Sequence, residues 1–305
     1  MAGSDQPLVA GVELGGTKCV CLLASGPDEV RETVRIPTTT PDETVGAIRD
    51  VLARWRAGPG FEALGVGSFG PLELDDRSPA FGTVVATPKP GWSGADLKRL
   101  GVGLDVPMAI DTDVNGAALA EGRWGAARGL RSFAYVTVGT GIGVGVLVGG
   151  RSIRGLGHAE AGHLRVARLP GDAFAGVCPY HGDCVEGLAA GPAIAARAGR
   201  SGLELTPDDP TWTPVIHALG GLLHNLVLTT APERILIGGG VADGQGWLFP
   251  RLRTALLDSL AGYATADRIA ADIERFVSPP GLGAQAGPLG AVALALAGLE
   301  GLSPA

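Results

Sequence analysis

Three apolar runs in this chain end in clusters of glycine, and that punctuation limits the possible folds more than any other feature. Leu8–Leu14 runs into Gly15–Gly16, Phe133–Val138 into the glycines of Gly139–Gly145, and Arg234–Ile237 into Gly238–Gly240. Glycine at a strand end supplies positive φ and lets backbone N–H groups come close to a ligand. A compositional bias accounts for part of the total of 50 glycines in 305 residues, but not for this clustering. The first two clusters also align. Leu14–Leu23 (LGGTKCVCLL) and Val138–Val148 (VGTGIGVGVLV) share a glycine turn with apolar strands on either side. Such duplication is the mark of two related α/β domains in one chain.

Length and composition agree with two domains: 305 residues exceed one typical core, with 46% hydrophobic and 18% charged residues. The strands read as Leu8–Leu14, Thr17–Ala24, Ala63–Ser68, Pro107–Ile110, Phe133–Val138 and Arg234–Ile237. Helices read as Thr44–Ala57, Val114–Gly122, Val215–Thr230, Trp247–Leu260 and Gln285–Leu299, with Gly162–Glu186 irregular. The domains are expected at residues 1–115 plus about 287–305, and at 116–286 with a metal loop at 163–184. A net charge of -7 argues against nucleic-acid or anionic-membrane partners. The most apolar stretches, Ala134–Gly150 and Pro288–Leu302, are glycine-broken and shorter than the roughly 20 residues of a spanning helix. The N-terminus lacks the basic and apolar regions of a signal peptide, so a cytoplasmic protein is expected.

The sharpest chemical signal is His163…Cys178-x-x-His181-x-x-Cys184. Four N and S donors at this spacing predict a closed, tetrahedral structural zinc site. Paired cysteines in a cytosolic chain read as metal ligands before they read as a disulfide. Cys19 and Cys21 alternate with apolar neighbours and read as small core residues. In the first turn, the N–H groups of Gly15 and Gly16, the Thr17 hydroxyl and the Lys18 ammonium can surround phosphate oxygens; an empty Gly-Gly hairpin reads equally well. Gly139-Thr140-Gly141 can clasp phosphates from the other domain, and Gly239-Gly240 can receive an adenosine where side chains would clash. Asp113, between a strand end and a helix start, is the candidate general base, with Asp111 competing for the role. Phosphoryl transfer asks a protein chiefly to position the acceptor, take its proton and neutralise charge, which one carboxylate, Mg²⁺ and backbone N–H groups can do. Glu160, His163 and Glu186 bracket the metal loop and can hydrogen-bond sugar hydroxyls, although surface carboxylates are equally ordinary.

Taken in order, ELGGTK, TDVNGAALAEG, VGTGIGVG, EAGH, the Cys-His-Cys knuckle and ILIGGGV resemble the ROK (repressor, open reading frame, kinase) sugar kinases from about residue 8 to the last helix. The resemblance implies an actin-like ATPase (ribonuclease H-like) α/β fold with a nucleotide and sugar cleft between its domains, Mg-ATP as donor, and a homodimer. It implies Asp113 as catalytic base. It also implies Gly70, Thr112, Asp113, Glu160, His163 and Glu186 at the sugar, with His163 doubling as a zinc ligand. The phosphate loops would be Gly15–Lys18 and Gly139–Gly141, with Gly239 and Gly240 at the adenosine and Glu13 helping to hold hydrated Mg²⁺. Glu13, Ser68–Pro71, Thr87–Trp92 and Cys178–Cys184 look like the bacterial fructokinase branch. Thr112 stands where many relatives carry Asn, and a hydroxyl cannot replace both the donor and the acceptor of an amide. The expected reaction is ATP-dependent phosphorylation of D-fructose at its 6-hydroxyl, with mannose or glucose as alternative hexoses. A non-catalytic sugar-sensing repressor is disfavoured, because only twelve residues precede Glu13 and leave no room for a helix-turn-helix.

Overall fold

The computed structural model describes residues 6–301 and contains two compact units, each built on a mixed sheet. In the first unit β1 (Val9–Leu14), β2 (Lys18–Gly26) and β3 (Glu29–Pro37) form an antiparallel meander. Helix α1 (Pro41–Ala57), strands β4 (Leu64–Ser68) and β5 (Met108–Thr112), and helix α2 (Asp113–Trp124) follow. The order is β3-β2-β1-β4-β5, with β4 and β5 parallel to β1. The second unit holds β6 (Phe133–Val138) and β7 (Ile142–Val148), and the two-residue strand β8 (Arg151–Ser152) comes next in the chain. After it come α3 (Val185–Ala189), α4 (Gly191–Ala198), α5 (Trp212–Thr230), β9 (Ile235–Gly238), α6 (Leu248–Leu260), α7 (Ala266–Ala271), α8 (Ile273–Phe276) and β10 (Val277–Ser278). Helix α9 (Ala286–Leu299) closes the described chain. Strands β7-β6-β9-β10 repeat the arrangement of β2-β1-β4-β5, a hairpin continued by two parallel strands. The glycine-turn alignment therefore marks a real topological duplication.

Local chemistry explains where the elements depart from the sequence reading. Helix α1 begins at Pro41 rather than Thr44, because the Thr40 hydroxyl accepts from the Glu43 N–H, and Pro41, Asp42 and Glu43 fill the first turn. Strand β3 escapes the pattern because it is a sheet edge: its residues alternate between exposed and half-buried, and none is fully buried. Helix α2 starts at Asp113, one residue ahead of the Val114 expected from the sequence. Thr112 is its N-cap and accepts from the Asn115 N–H at 3.2 Å.

The first unit comprises the chain up to Gly129, Arg151–Ala159, and the chain from Gln285 on; the second comprises Leu130–Gly150 and Glu160–Ala284. This grouping differs from a division at residue 115, and close packing gives the reason. Helix α9 lies so near the first sheet that a Cβ on Gly11 would sit 2.8 Å from the Val292 nitrogen. One on Gly65 would sit 2.6 Å from the Ala295 nitrogen. Helix α2 meets α9 glycine to glycine, since a Cβ on Gly290 would lie 2.6 Å from the Ala117 nitrogen. A helix of small residues is thus held against two glycine-bearing strands and carries α2 with it. Residues 1–5 and 302–305 of the expected domain lie outside the described residues. Among the described residues no helix is long and apolar enough to cross a membrane. Overpacking of this kind costs about 1–3 kcal/mol. Gly65→Ala is therefore expected to lower the unfolding free energy by about that amount in a urea titration, whereas Gly46→Ala, on a face open to solvent, should not.

Candidate active site

The first unit brings together the end of β1, the turn after it, and the junction of β5 with α2. The turn is closed by the Gly15 N–H donating to the Lys18 carbonyl at 3.1 Å. Thr38 braces it, its hydroxyl donating to the Gly15 carbonyl at 2.7 Å. Gly16, Thr17 and Lys18 are exposed at the tip, where their donors are free to meet a ligand. The Lys89 ammonium reaches the same turn and donates to the Gly16 carbonyl at 2.6 Å. Burial raises the Glu13 carboxyl to about 7; the nearby Asp113 charge adds to the effect and Lys18 opposes it. Glu13 fits only because residue 287, in the first turn of α9, has no side chain to collide with its carboxylate.

Two aspartates share the β5–α2 junction, and their surroundings separate their roles. Asp111 is fully buried and saturated. Its Oδ1 accepts from the Thr112 N–H at 2.7 Å and the Asn115 amide at 2.8 Å; its Oδ2 accepts from Ser152 at 3.1 Å and Arg154 at 2.8 Å. Asp113 is only partly buried, and its Oδ1 accepts from the Val114 N–H at 2.8 Å. Burial raises it to about 6; its backbone hydrogen bonds pull the other way and Asp111 adds to the rise. A half-open carboxylate near 6 suits proton abstraction, whereas a locked ion pair does not. The Thr112 hydroxyl is already an acceptor in its cap, so it has its proton left to offer a ligand. Gly70 lies in the segment after β4, which is tied down where the Leu72 N–H donates to His158 Nε2 at 3.0 Å.

In the second unit Gly139, Thr140 and Gly240 border one cavity of about 770 Å³, walled by Ile194, Leu203, Trp212 and Val241. Gly239 takes φ +91°, and a Cβ there would be 2.6 Å from the Thr137 hydroxyl and the Val138 carbonyl. A mainly apolar cavity edged by backbone N–H groups suits a nucleoside with its phosphates. Glu186, on α3, accepts from the Ile142 N–H at 2.9 Å, while the exposed Glu160 begins the 3₁₀ turn Ala161–His163.

His163, Cys178, His181 and Cys184 converge, their ligand atoms all within 4.8 Å of one another. Cys178 Sγ lies 3.7 Å from His163 Nδ1 and 3.7 Å from His181 Nδ1, and Cys184 Sγ lies 3.5 Å from His163 Nδ1. Bonds of ~2.3 Å to sulfur and ~2.05 Å to nitrogen at the tetrahedral angle put such atoms roughly 3.6 Å apart. The three S···N separations therefore match the edges of a tetrahedral metal site. The intervening loop has its own clamp: Arg197 pairs with Asp172 at 2.8 Å, and that hydrogen bond holds the Asp172 carboxyl down at about 2.

The ROK family model matches residues 9–297. The chain belongs to the ROK family. A fructokinase of Zymomonas mobilis is 42% identical over 300 residues, covering 96% of this chain and 98% of that one. Among solved structures, a ROK hexokinase from Thermus thermophilus is 30% identical with a TM-score of 0.78, covering 96% of this chain and 99% of its own. A ROK glucokinase from Streptomyces griseus, in complex with glucose and AMPPNP, is 26% identical with a TM-score of 0.74, covering 94% and 99%. The fold of this ROK protein is thus the α/β actin-like ATPase fold, and the chain is a sugar kinase.

Several partners in this ROK site are not marked in the sequence. Arg154, Ser152 and Gly287 each act on a residue far away in the chain with no motif to flag them, and Lys89, inside the Thr87–Trp92 segment, carries no sign in the sequence of its contact with Gly16. The high-lying carboxyls set a pH dependence. Asp113 must be ionised to act as a base, so kcat/KM should rise with pH through about 6 and fall about tenfold per unit below it. A pH–rate profile flat from 5 to 8 would remove Asp113 as the base. The same burial removes stability as pH rises from about 4 through about 6, since over that range the folded chain holds a proton that the unfolded one has lost, and the cost is complete above it. Asp113→Asn should therefore melt no lower than the wild type at pH 8.

Proposed function

We propose that this ROK protein is a fructokinase that transfers the γ-phosphoryl group of ATP to the 6-hydroxyl of D-fructose, with Asp113 as general base. The observation that carries the mechanism is the contrast at the β5–α2 junction: Asp111 is consumed by four donors, and Asp113 stands beside it partly open with a pKa near 6. The likeness to the Zymomonas fructokinase supports fructose as acceptor. Asp113 would orient the 6-hydroxyl and accept its proton as the phosphoryl group arrives. Gly15–Lys18 and Gly139–Gly141 would steady the phosphates through backbone N–H groups, the Thr17 hydroxyl and the Lys18 ammonium. Gly239 and Gly240 leave room for the adenosine. Gly70, Thr112, Glu160, His163 and Glu186 would hold the sugar.

Glu13, half-buried beside Asp113, would supply a hard oxygen ligand for Mg²⁺, which when bound neutralises phosphate charge. The sulfur and nitrogen donors of His163, Cys178, His181 and Cys184 favour zinc over Mg²⁺ or Ca²⁺. All four places of the tetrahedron are filled by side chains, so this metal would order the loop and take no part in the reaction. His163, bound through Nδ1, would keep its Nε2–H to offer a sugar hydroxyl. A homodimer in the cytoplasm completes the proposal.

ADP release against a panel of fructose, mannose and glucose tests this reading. Fructose should give the highest kcat/KM, and Asp113→Asn should lose about 10²–10⁴-fold in kcat while staying folded. Glucose or mannose ahead of fructose would overturn the substrate assignment; an active Asp113→Asn would overturn the base. Metal analysis should find one zinc per chain, and none in a Cys178→Ser, Cys184→Ser double variant.

A further inference from the structure

The phosphate turn of the second unit is held at Ile142 and Gly139 by segments that also carry proposed sugar contacts. Glu186 Oε2 accepts the Ile142 N–H at 2.9 Å. Gly141 must lack a side chain for this, since a Cβ there would be 2.6 Å from the same oxygen. On the carbonyl side of Ile142, Gly162 of the Glu160–His163 turn packs so closely that its Cβ would be 2.8 Å from the Ile142 carbonyl carbon. Two residues past α3, the Gly191 N–H donates to the Gly139 carbonyl at 2.7 Å. Helix α3 is a five-residue strut fixed at its start by Cys184, whose Sγ caps it by accepting from the Gly187 N–H at 3.5 Å. Among the described residues, Glu186 Oε1 has no hydrogen-bond partner.

We propose that Glu186 is a positioning residue for the Gly139–Ile142 turn as well as a sugar contact, so that filling the sugar site and ordering the phosphate turn are coupled through one carboxylate. The proposal rests on the fructokinase reading. Oε2 is engaged by the turn, leaving Oε1 to accept a sugar hydroxyl. A hydroxyl bound there removes the rotamer freedom of Glu186, and the Ile142 N–H bond is then held before nucleotide arrives. Nucleotide binding loses correspondingly less entropy, and the effect is reciprocal: nucleotide tightens sugar binding by the same factor.

Titration with a non-hydrolysable ATP analogue, with and without saturating fructose, separates the two roles. In the wild type, fructose should tighten the analogue about fivefold or more. Glu186→Gln keeps an acceptor for the Ile142 N–H but offers an amide to the sugar. Its sugar-free Kd for the analogue should stay within about twofold of wild type while the fructose enhancement disappears. Glu186→Ala loses both functions, so its sugar-free Kd should rise roughly tenfold, as expected for a lost hydrogen bond to a charged group. Hydrogen exchange at the Ile142 amide should quicken by a similar factor in the alanine variant and stay slow in the glutamine variant, with the Val144 amide unchanged in both. Should the alanine variant fail to fold, Glu186→Gln decides alone. Retained enhancement in Glu186→Gln, or wild-type analogue affinity in a folded Glu186→Ala, overturns the proposal and leaves the fructokinase reading standing. A wild type that binds the analogue but no hexose overturns the fructokinase reading and the coupling together.

Discussion

The carboxylate of Asp111 is buried away from water, and the first-unit site depends on how it is satisfied. A guanidinium, an amide, a hydroxyl and a backbone N–H converge on its two oxygens. An unpaired charge in that position would be costly, and breaking such a pair by removing one partner costs about 3–5 kcal/mol. The four donors come from the strand end, the first turn of α2 and the 151–159 segment. Satisfying Asp111 therefore fixes the angle at which β5 turns into α2, and Asp113 is the first residue beyond that turn. A rigid neighbour lets a half-open carboxylate hold a raised pKa without swinging to solvent.

Glycine serves two physical ends in this chain. At Gly15–Gly16, Gly139–Gly141 and Gly239–Gly240 it allows tight turns and leaves space at strand ends. At Gly11, Gly65, Gly116 and Gly290 it lets α9 lie against the first sheet and against α2 at backbone distance. Gly287 joins the two uses, because the absence of a side chain there makes room for the buried Glu13 carboxylate. Burial in turn gives that carboxylate its raised pKa.

The parts of this architecture that are local in sequence were legible from it. The metal quartet was visible because three of its ligands lie within seven residues, and its donor types are chemically distinctive. The strand–glycine–strand units were visible because a hairpin keeps both strands adjacent in the chain, and their repeat matched the sheet topology. Strand β3 was not, because an edge strand with one face in water has no apolar run. Nor was the membership of 151–159 in the first unit, which depends on Arg154 reaching Asp111 across more than forty positions. The packing glycines were hidden too: nothing in the string distinguishes Gly65, under a helix, from Gly46, in the open. Position and resemblance pointed to Asp113 as the base but left Asp111 in competition, and the four donors around Asp111 add a separation that the string could not give.

In the proposed mechanism catalysis turns on one contact, between an Asp113 carboxylate held by its neighbours and the hydroxyl it would deprotonate. The most direct measurement is the structure of the ternary complex with fructose and a non-hydrolysable ATP analogue. An Asp113 carboxylate oxygen within about 2.6–3.2 Å of the fructose 6-hydroxyl, with that hydroxyl facing the γ-phosphoryl group, is the predicted arrangement. A complex in which another carboxylate holds the 6-hydroxyl, or in which Asp113 keeps no sugar contact, would contradict it.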